Sequence, residues 1–156
     1  MLLNGESVPS ANGNPYREHL IAALLHFKPD KYVAKRILIA DDTPMVRKML
    51  CELFEREDDY VVCSEARNGQ EAVEMALKER PDLIILDMAM PILNGLSAAR
   101  TLKKLMPTVP IILFTQHDIE LARSRIEVFA DRVVPKSEAI QLMTHVRALA
   151  PASKAK

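Results

Sequence analysis

Tryptophan is absent from this chain of 156 residues, and aromatic residues make up only 4% of it. With so few rings available, the core must be built from aliphatic side chains and methionine. Cysteine is scarce too. Cys51 and Cys63 cannot form a disulfide framework, and no histidine lies close enough in sequence to complete a four-ligand zinc site with them. Both are expected to be reduced thiols in the core. Nor is there an excess of charge of one sign, because 21 Lys and Arg balance 21 Asp and Glu. No bulk positive field is available to displace counterions from a nucleic-acid backbone, so DNA binding would need a local basic patch. Long apolar runs are also missing. The longest near the start, Leu20 to Leu25, sits between His19 and His26 and leads into no small-residue cleavage pattern. Neither a membrane span nor a secretion signal is expected, which leaves the cytoplasm as the default compartment.

What is present is organised unevenly. Residues 1–15 are rich in Asn, Gly, Ser and Pro and are expected to be a mobile tail. Within 16–35, Tyr16, Leu20, Leu24 and Phe27 recur at helical spacing until Lys28, Pro29 and Asp30 end the pattern, which predicts an N-terminal helix and linker. From residue 36 to 150 the chain alternates. Apolar runs at Ile37–Ala40, Tyr60–Cys63, Leu83–Leu86, Ile111–Phe114 and Val133–Val134 are separated by stretches of helical periodicity. Near-continuous apolar runs indicate strands covered on both faces, hence a parallel sheet in a doubly wound α/β domain. Helix starts are legible at Thr43-Pro44, at Asn68 with Glu71 three residues on, and at Ser137. Residues 151–156 form a C-terminal tail whose Lys154 and Lys156 serve solubility.

Ligands of an open parallel sheet bind beyond the carboxyl ends of its strands. Asp41 and Asp42 follow the first strand here, Asp87 the third, Thr115 the fourth and Lys136 the fifth. Taken singly, each has an ordinary reading as a turn or loop residue. Taken together they do not, since three acids converging in one cleft repel one another unless a cation sits among them. An oxygen-only donor set favours magnesium over zinc. The set also suits phosphoryl transfer to a carboxylate, where metal, ammonium and hydroxyl groups neutralise and align two anions. Asp87 is the best candidate acceptor because its strand is the most apolar and therefore central.

Asp41-Asp42, Asp87 with Met90-Pro91 and Asn94-Gly95 at fixed offsets, Thr115 and Lys136 together resemble the receiver domain of bacterial two-component response regulators, of the single-domain, chemotaxis-receiver type. The resemblance covers residues 36–150, about three quarters of the chain. It implies a flavodoxin-like five-stranded parallel sheet of order 2-1-3-4-5. It further implies that Asp87 accepts a phosphoryl group from a sensor histidine kinase or phosphotransfer protein. Mg2+ would be bound by Asp42 directly, by Asp41 largely through water, by Asp87 and by the backbone carbonyl of Ala89. Thr115 and Lys136 would bind phosphoryl oxygens. The added charge, about 1.5 to 2 units at neutral pH, would bias the surface of the fourth helix, fifth strand and fifth helix toward a downstream protein effector. The chain would then be a signalling phosphoacceptor that assists its own phosphorylation and dephosphorylation, and not an enzyme acting on other substrates.

Three positions depart from that pattern. Val133 stands where the family often has a switching Tyr or Phe, Pro135 precedes Lys136 where a proline often follows it, and Gln116 replaces a small residue after the threonine. Gln116 is expected to restrict water and prolong the phosphorylated state; His117 is a weaker candidate for tuning dephosphorylation. The methionines, including Met45, Met49, Met75 and Met143, are expected to fill the core. The stripe of Leu20, Leu24 and Phe27 needs a partner, either the receiver itself or another chain, a homodimer included. Two other readings compete. A phosphorylation-independent pseudo-receiver is favoured only by Val133. A haloacid-dehalogenase-type phosphatase would want a second acid two residues after Asp41, where Thr43 stands. The segments outside the receiver are too short for a DNA-binding helix-turn-helix, so signalling by protein contact, without direct nucleic-acid or membrane binding, is expected for the chain as it stands.

Overall fold

The computed structural model describes residues 33–116 and 128–153. The expected tail, the helix from Tyr16 to Phe27, His117 and the terminal lysines lie outside the described residues, as does the stretch 117–127 between the fourth and fifth strands.

The five apolar runs form five strands: β1 (Lys35–Ala40), β2 (Tyr60–Ala66), β3 (Leu83–Leu86), β4 (Ile111–Thr115) and β5 (Arg132–Pro135). All pair in parallel, in the order β2-β1-β3-β4-β5, so β3 is central as its composition predicts. Among the described residues three α-helices lie in the connections, α1 (Pro44–Glu55), α2 (Gly69–Glu79) and α3 (Gly95–Leu105), and a fourth, α4 (Ala139–Leu149), follows β5.

Because side chains alternate across a strand, each run feeds two apolar layers. Ile37, Ile39, Leu83, Ile85, Ile112, Phe114 and Val134 pack with Leu50 and Phe54 of α1 and with Leu142, Met143 and Val146 of α4. Leu38, Ala40, Ile84, Leu86, Ile111 and Leu113 pack with Ala72 and Ala76 of α2 and with Ala98, Ala99 and Leu102 of α3. This second layer uses alanine where helices lie close to the sheet, which keeps the layer thin without aromatic filling.

β2 breaks the alternation. Ile37 pairs with Val62 but Leu38 pairs with Ser64, which leaves Cys63 as an extra residue in a β-bulge on the edge strand. Its thiol donates to the Ile37 carbonyl oxygen at 3.4 Å. Before the bulge, Tyr60 and Val62 face the α1/α4 layer. After it the phase is inverted: Ser64 Oγ donates to Met75 Sδ of α2 at 3.0 Å, and Ala66 is buried in the α2/α3 layer. Glu65 is thereby turned to the α1 side.

Several local expectations need correction. Thr43 occupies the N-cap of α1 with Pro44 behind it, yet its hydroxyl makes no capping bond and points to Asp42 Oδ1 at 3.4 Å. Asn68 Oδ1 does accept from Glu71 N at 2.9 Å, but Glu71 returns its bond to Arg67 N, one residue earlier than a capping box requires. Ser137 caps nothing. It lies inside a 3-10 turn, Lys136–Glu138, which inserts before α4 and makes Glu138 the N-cap residue. Met143 is buried, but Met45 and Met49 are 74% and 41% exposed, because α1 turns the stripe of Val46, Leu50 and Phe54 to the sheet and each of these methionines lies one position off it. Cys51 and Cys63 are half-buried thiols. Burial pushes both upward, Cys51 to about 11 with the neighbouring Glu65 carboxylate adding to the effect, so neither is a thiolate at neutral pH.

The amino ends of the strands are fastened by two aspartates used alike. Asp82 accepts Arg36 N on Oδ2 at 2.8 Å while its own N–H bonds the Arg36 carbonyl. Asp131 accepts Ile111 N at 2.7 Å and Lys103 Nζ at 2.7 Å on one oxygen while its N–H bonds the Ile111 carbonyl. Asp131→Ala leaves the Ile111 N–H without its acceptor and is expected to lower unfolding free energy by about 2 kcal/mol. Asp131→Asn keeps an acceptor oxygen and should lose less; urea denaturation of both variants checks the order.

Candidate functional site

The opposite edge of the sheet carries the functional candidates. Asp41 leaves β1 with its N–H bonded to Ala66 O, and Asp87 leaves β3 with its N–H bonded to Ala40 O, so the ladder extends one residue past each strand and fixes both acids. Asp41, Asp87 and Thr115 are buried, while Asp42 is exposed at the mouth. One carboxylate oxygen from each of Asp41, Asp42 and Asp87 lies within 4.8 Å of the others. Lys136, at the start of the 3-10 turn after β5, brings Nζ to 2.6 Å from Asp41 Oδ2 and 3.3 Å from Asp87 Oδ1. The structure thus brings together the three acids and the lysine that the sequence singled out. Thr115 ends β4, the neighbour of β3, and Ala89 is exposed two residues beyond Asp87.

Three carboxylates and one ammonium leave the cluster two negative charges in excess. Burial raises the Asp87 carboxyl above its usual range, and Asp41 adds to this while Lys136 opposes it. Asp41 Oδ1 is satisfied by Thr43 N at 2.9 Å. Its Oδ2 is fully buried with no hydrogen bond of proper geometry, although the ammonium is its close ionic neighbour. A buried carboxylate oxygen lacking a directed donor, in a group of oxygen ligands at this spacing, fits a hard divalent cation.

Two glycines shape the loop from Asp87 to α3. Gly95 N donates to Met88 O at 3.0 Å, and a Cβ on Gly95 would collide with the Asp87 carbonyl oxygen. Gly69 N donates to Leu93 O at 2.9 Å, and a Cβ there would strike that same oxygen. Between them Leu93 N bonds Pro91 O at 2.7 Å around Ile92, whose φ is +66°. This positive-φ γ-turn is a strained form, more so with a β-branched residue at its centre. Asn94-Gly95 is legible in the sequence but the turn is not, since nothing in Pro-Ile-Leu marks a positive φ. Arg47 was also missed; its Nη1 donates to the Asp41 carbonyl at 2.7 Å.

Residues 37–147 match the sequence profile of the response regulator receiver domain. The chain belongs to that family. This receiver is 40% identical over 104 residues to a protein-glutamate methylesterase/protein-glutamine glutaminase of Pyrococcus abyssi, an alignment covering 65% of this chain and 28% of the relative. It is 42% identical over 97 residues to the transcriptional regulatory protein PdtaR of Mycobacterium tuberculosis, covering 60% of this chain and 47% of that one. The match therefore spans about half or less of the length of these curated relatives. Among solved structures, the response regulator TrrA of Thermotoga maritima, in complex with Mg(2+)-BeF, superposes with a TM-score of 0.67 at 34% identity, covering 74% of this chain and 98% of that one. A LuxR-family two-component response regulator from Aurantimonas gives 0.70 at 30% identity, covering 78% and 89%.

The departures from the receiver pattern are visible in place. Val133 is half-buried and packs against the α2/α3 layer, Gln116 is exposed directly after Thr115, and every peptide bond of the described residues is trans. Gly95→Ala tests how tightly the loop is held. The displaced Asp87 backbone should cost about 1 to 3 kcal/mol of stability by urea denaturation.

Proposed function

We propose that this receiver is a phosphoacceptor of a two-component phosphorelay and that Asp87 is the residue phosphorylated. The observation that carries the reading is the cluster itself: three carboxylates within 4.8 Å, with Lys136 Nζ 3.3 Å from Asp87 Oδ1, at the carboxyl edge of the central strand. An oxygen of Asp87 attacks the phosphorus of a phosphohistidine on a sensor histidine kinase or phosphotransfer protein, and the P–N bond to that histidine breaks. Asp41, Asp42, Asp87 and the Ala89 carbonyl hold Mg2+, which when bound screens the charge between the carboxylate and the incoming phosphoryl group. Lys136 exchanges its present contact with Asp41 and Asp87 for a phosphoryl oxygen, and the Thr115 hydroxyl donates to another. The new charge-assisted bonds draw the ends of β4 and β5 toward Asp87, and the changed surface is read by a downstream protein effector. The role is signalling in the cytoplasm. A fixed Val133 packed into a core layer takes the place of a swinging aromatic ring, so the signal passes through the Thr115 and Lys136 loops.

Incubation of the full chain with acetyl phosphate and Mg2+, followed by intact-mass measurement, should show one added phosphoryl group. The gain should be lost when Mg2+ is chelated and absent in Asp87→Asn. Wild-type protein that stays unlabelled under these conditions defeats the phosphoacceptor reading and favours a pseudo-receiver, and steady turnover of a phosphate ester would favour a phosphatase.

Gln116, exposed directly after Thr115, would limit the approach of water to the phosphoryl group. Gln116→Ala should shorten the half-life of the phosphorylated protein, followed by loss of the mass increment after the donor is removed. A half-life unchanged or lengthened in that variant is the contrary result.

A further inference from the structure

Arg47 ends the first turn of α1, outside the acidic cluster, with its side chain only 13% exposed. It makes two contacts in opposite directions. Nη1 donates to the Asp41 carbonyl oxygen at 2.7 Å, and Nε faces Glu65 Oε2 on β2 at 3.4 Å. Glu65 also neighbours Cys51, one helical turn after Arg47, where its negative charge helps to push the thiol upward.

The carbonyl that Arg47 holds belongs to the peptide joining Asp41 to Asp42. Asp41 is fixed on both sides, by Ala66 O at its N–H and by Thr43 N at Oδ1. Asp42 has far less support. It is exposed, and its carboxylate meets Thr43 Oγ1 at a long 3.4 Å. Rotation of the Asp41–Asp42 peptide would swing the Asp42 side chain away from the other two acids, and the guanidinium bond to its carbonyl opposes that rotation. Glu65 reaches Arg47 only because the bulge at Cys63 inverts the phase of β2; in a regular strand Glu65 would face α2.

We infer that Arg47, held by Glu65 across the β2 bulge, is a positioning residue that sets the direction of Asp42 for divalent-cation binding. The inference rests on the proposed Mg2+ site. Charge and geometry make opposite demands here. A cation beside three carboxylates weakens Mg2+ binding by repulsion, so its removal on electrostatic grounds alone strengthens binding. Removal of a clamp on a ligand weakens it, commonly tenfold or more for groups that orient metal ligands.

Isothermal titration of the full chain with Mg2+ tests this in wild type, Arg47→Met, Arg47→Lys and Asp42→Asn, with urea denaturation in EDTA to show that each is folded. Arg47→Met keeps the packing of the stem and removes the donors; it should bind Mg2+ about tenfold more weakly. Arg47→Lys keeps the charge, but one ammonium cannot satisfy both the carbonyl and Glu65, so binding should still weaken, by less. Mg2+ affinity in Arg47→Met equal to or above wild type overturns the inference. If Arg47→Met is not folded, the same outcome in Arg47→Lys overturns it. Absence of Mg2+ binding in wild type would instead remove the site on which the inference depends, and a wild-type signal that persists in Asp42→Asn would do the same.

Discussion

Repulsion among Asp41, Asp42 and Asp87 is the constraint on which the rest of the structure turns. Two of these acids are buried, and for Asp87 burial penalises the charged form before the repulsion from Asp41 is added. Lys136 offsets one charge of the three, and only because β5 ends beside β4 with its chain turning immediately into a 3-10 turn over the carboxyl edge. A fold free to relax would let the acids move apart. This one cannot, because the backbone N–H groups of Asp41 and Asp87 are committed to the sheet ladder and Gly95 closes the loop against the Asp87 carbonyl.

Rigidity at that edge depends on packing elsewhere. The central strand is fully buried on both faces, and on one of them it meets the buried alanines of α2 and α3. At the amino ends, Asp82 and Asp131 each join a strand to its neighbour through paired backbone and side-chain bonds. These bonds hold the strand ends in register, and with them the relative heights at which Asp41, Asp87 and Thr115 emerge at the other end. The strained turn at Ile92 belongs to the same design: free energy gained in the apolar layers is enough to retain a local conformation that would not persist alone.

Much of this was legible from residue types. Runs such as Leu-Ile-Ile-Leu at 83–86 can be satisfied only by burial on both faces, which made β3 central before any pairing was known. The acids, the threonine and the lysine were legible for a related reason, since each immediately follows an apolar run and parallel strands must end at the same edge. Features that depend on the meeting of distant segments were not legible. Met45 and Met49 recur at helical spacing, yet the stripe that α1 buries is Val46, Leu50 and Phe54. Ser137 looks like a cap because capping chemistry is local, but Lys136, paired with Asp41 and Asp87, opens a 3-10 turn that places Ser137 inside it and the N-cap at Glu138.

The sequence by itself determined the alternation of strand and helix, the central strand and the residues gathered at one edge, because hydrophobic periodicity and strand-end position are properties of neighbouring residues. Only the tertiary structure decided the direction of Glu65, the bond from Arg47 to the Asp41 carbonyl, the positive φ at Ile92 and the buried Asp41 oxygen that meets the Lys136 ammonium. The direction of Glu65 depends on register between β1 and β2, where the extra residue Cys63 inverts which side chains face which helix, and the turn at Ile92 is flanked by the bond from Gly69 N to the Leu93 carbonyl, which joins segments far apart in the chain.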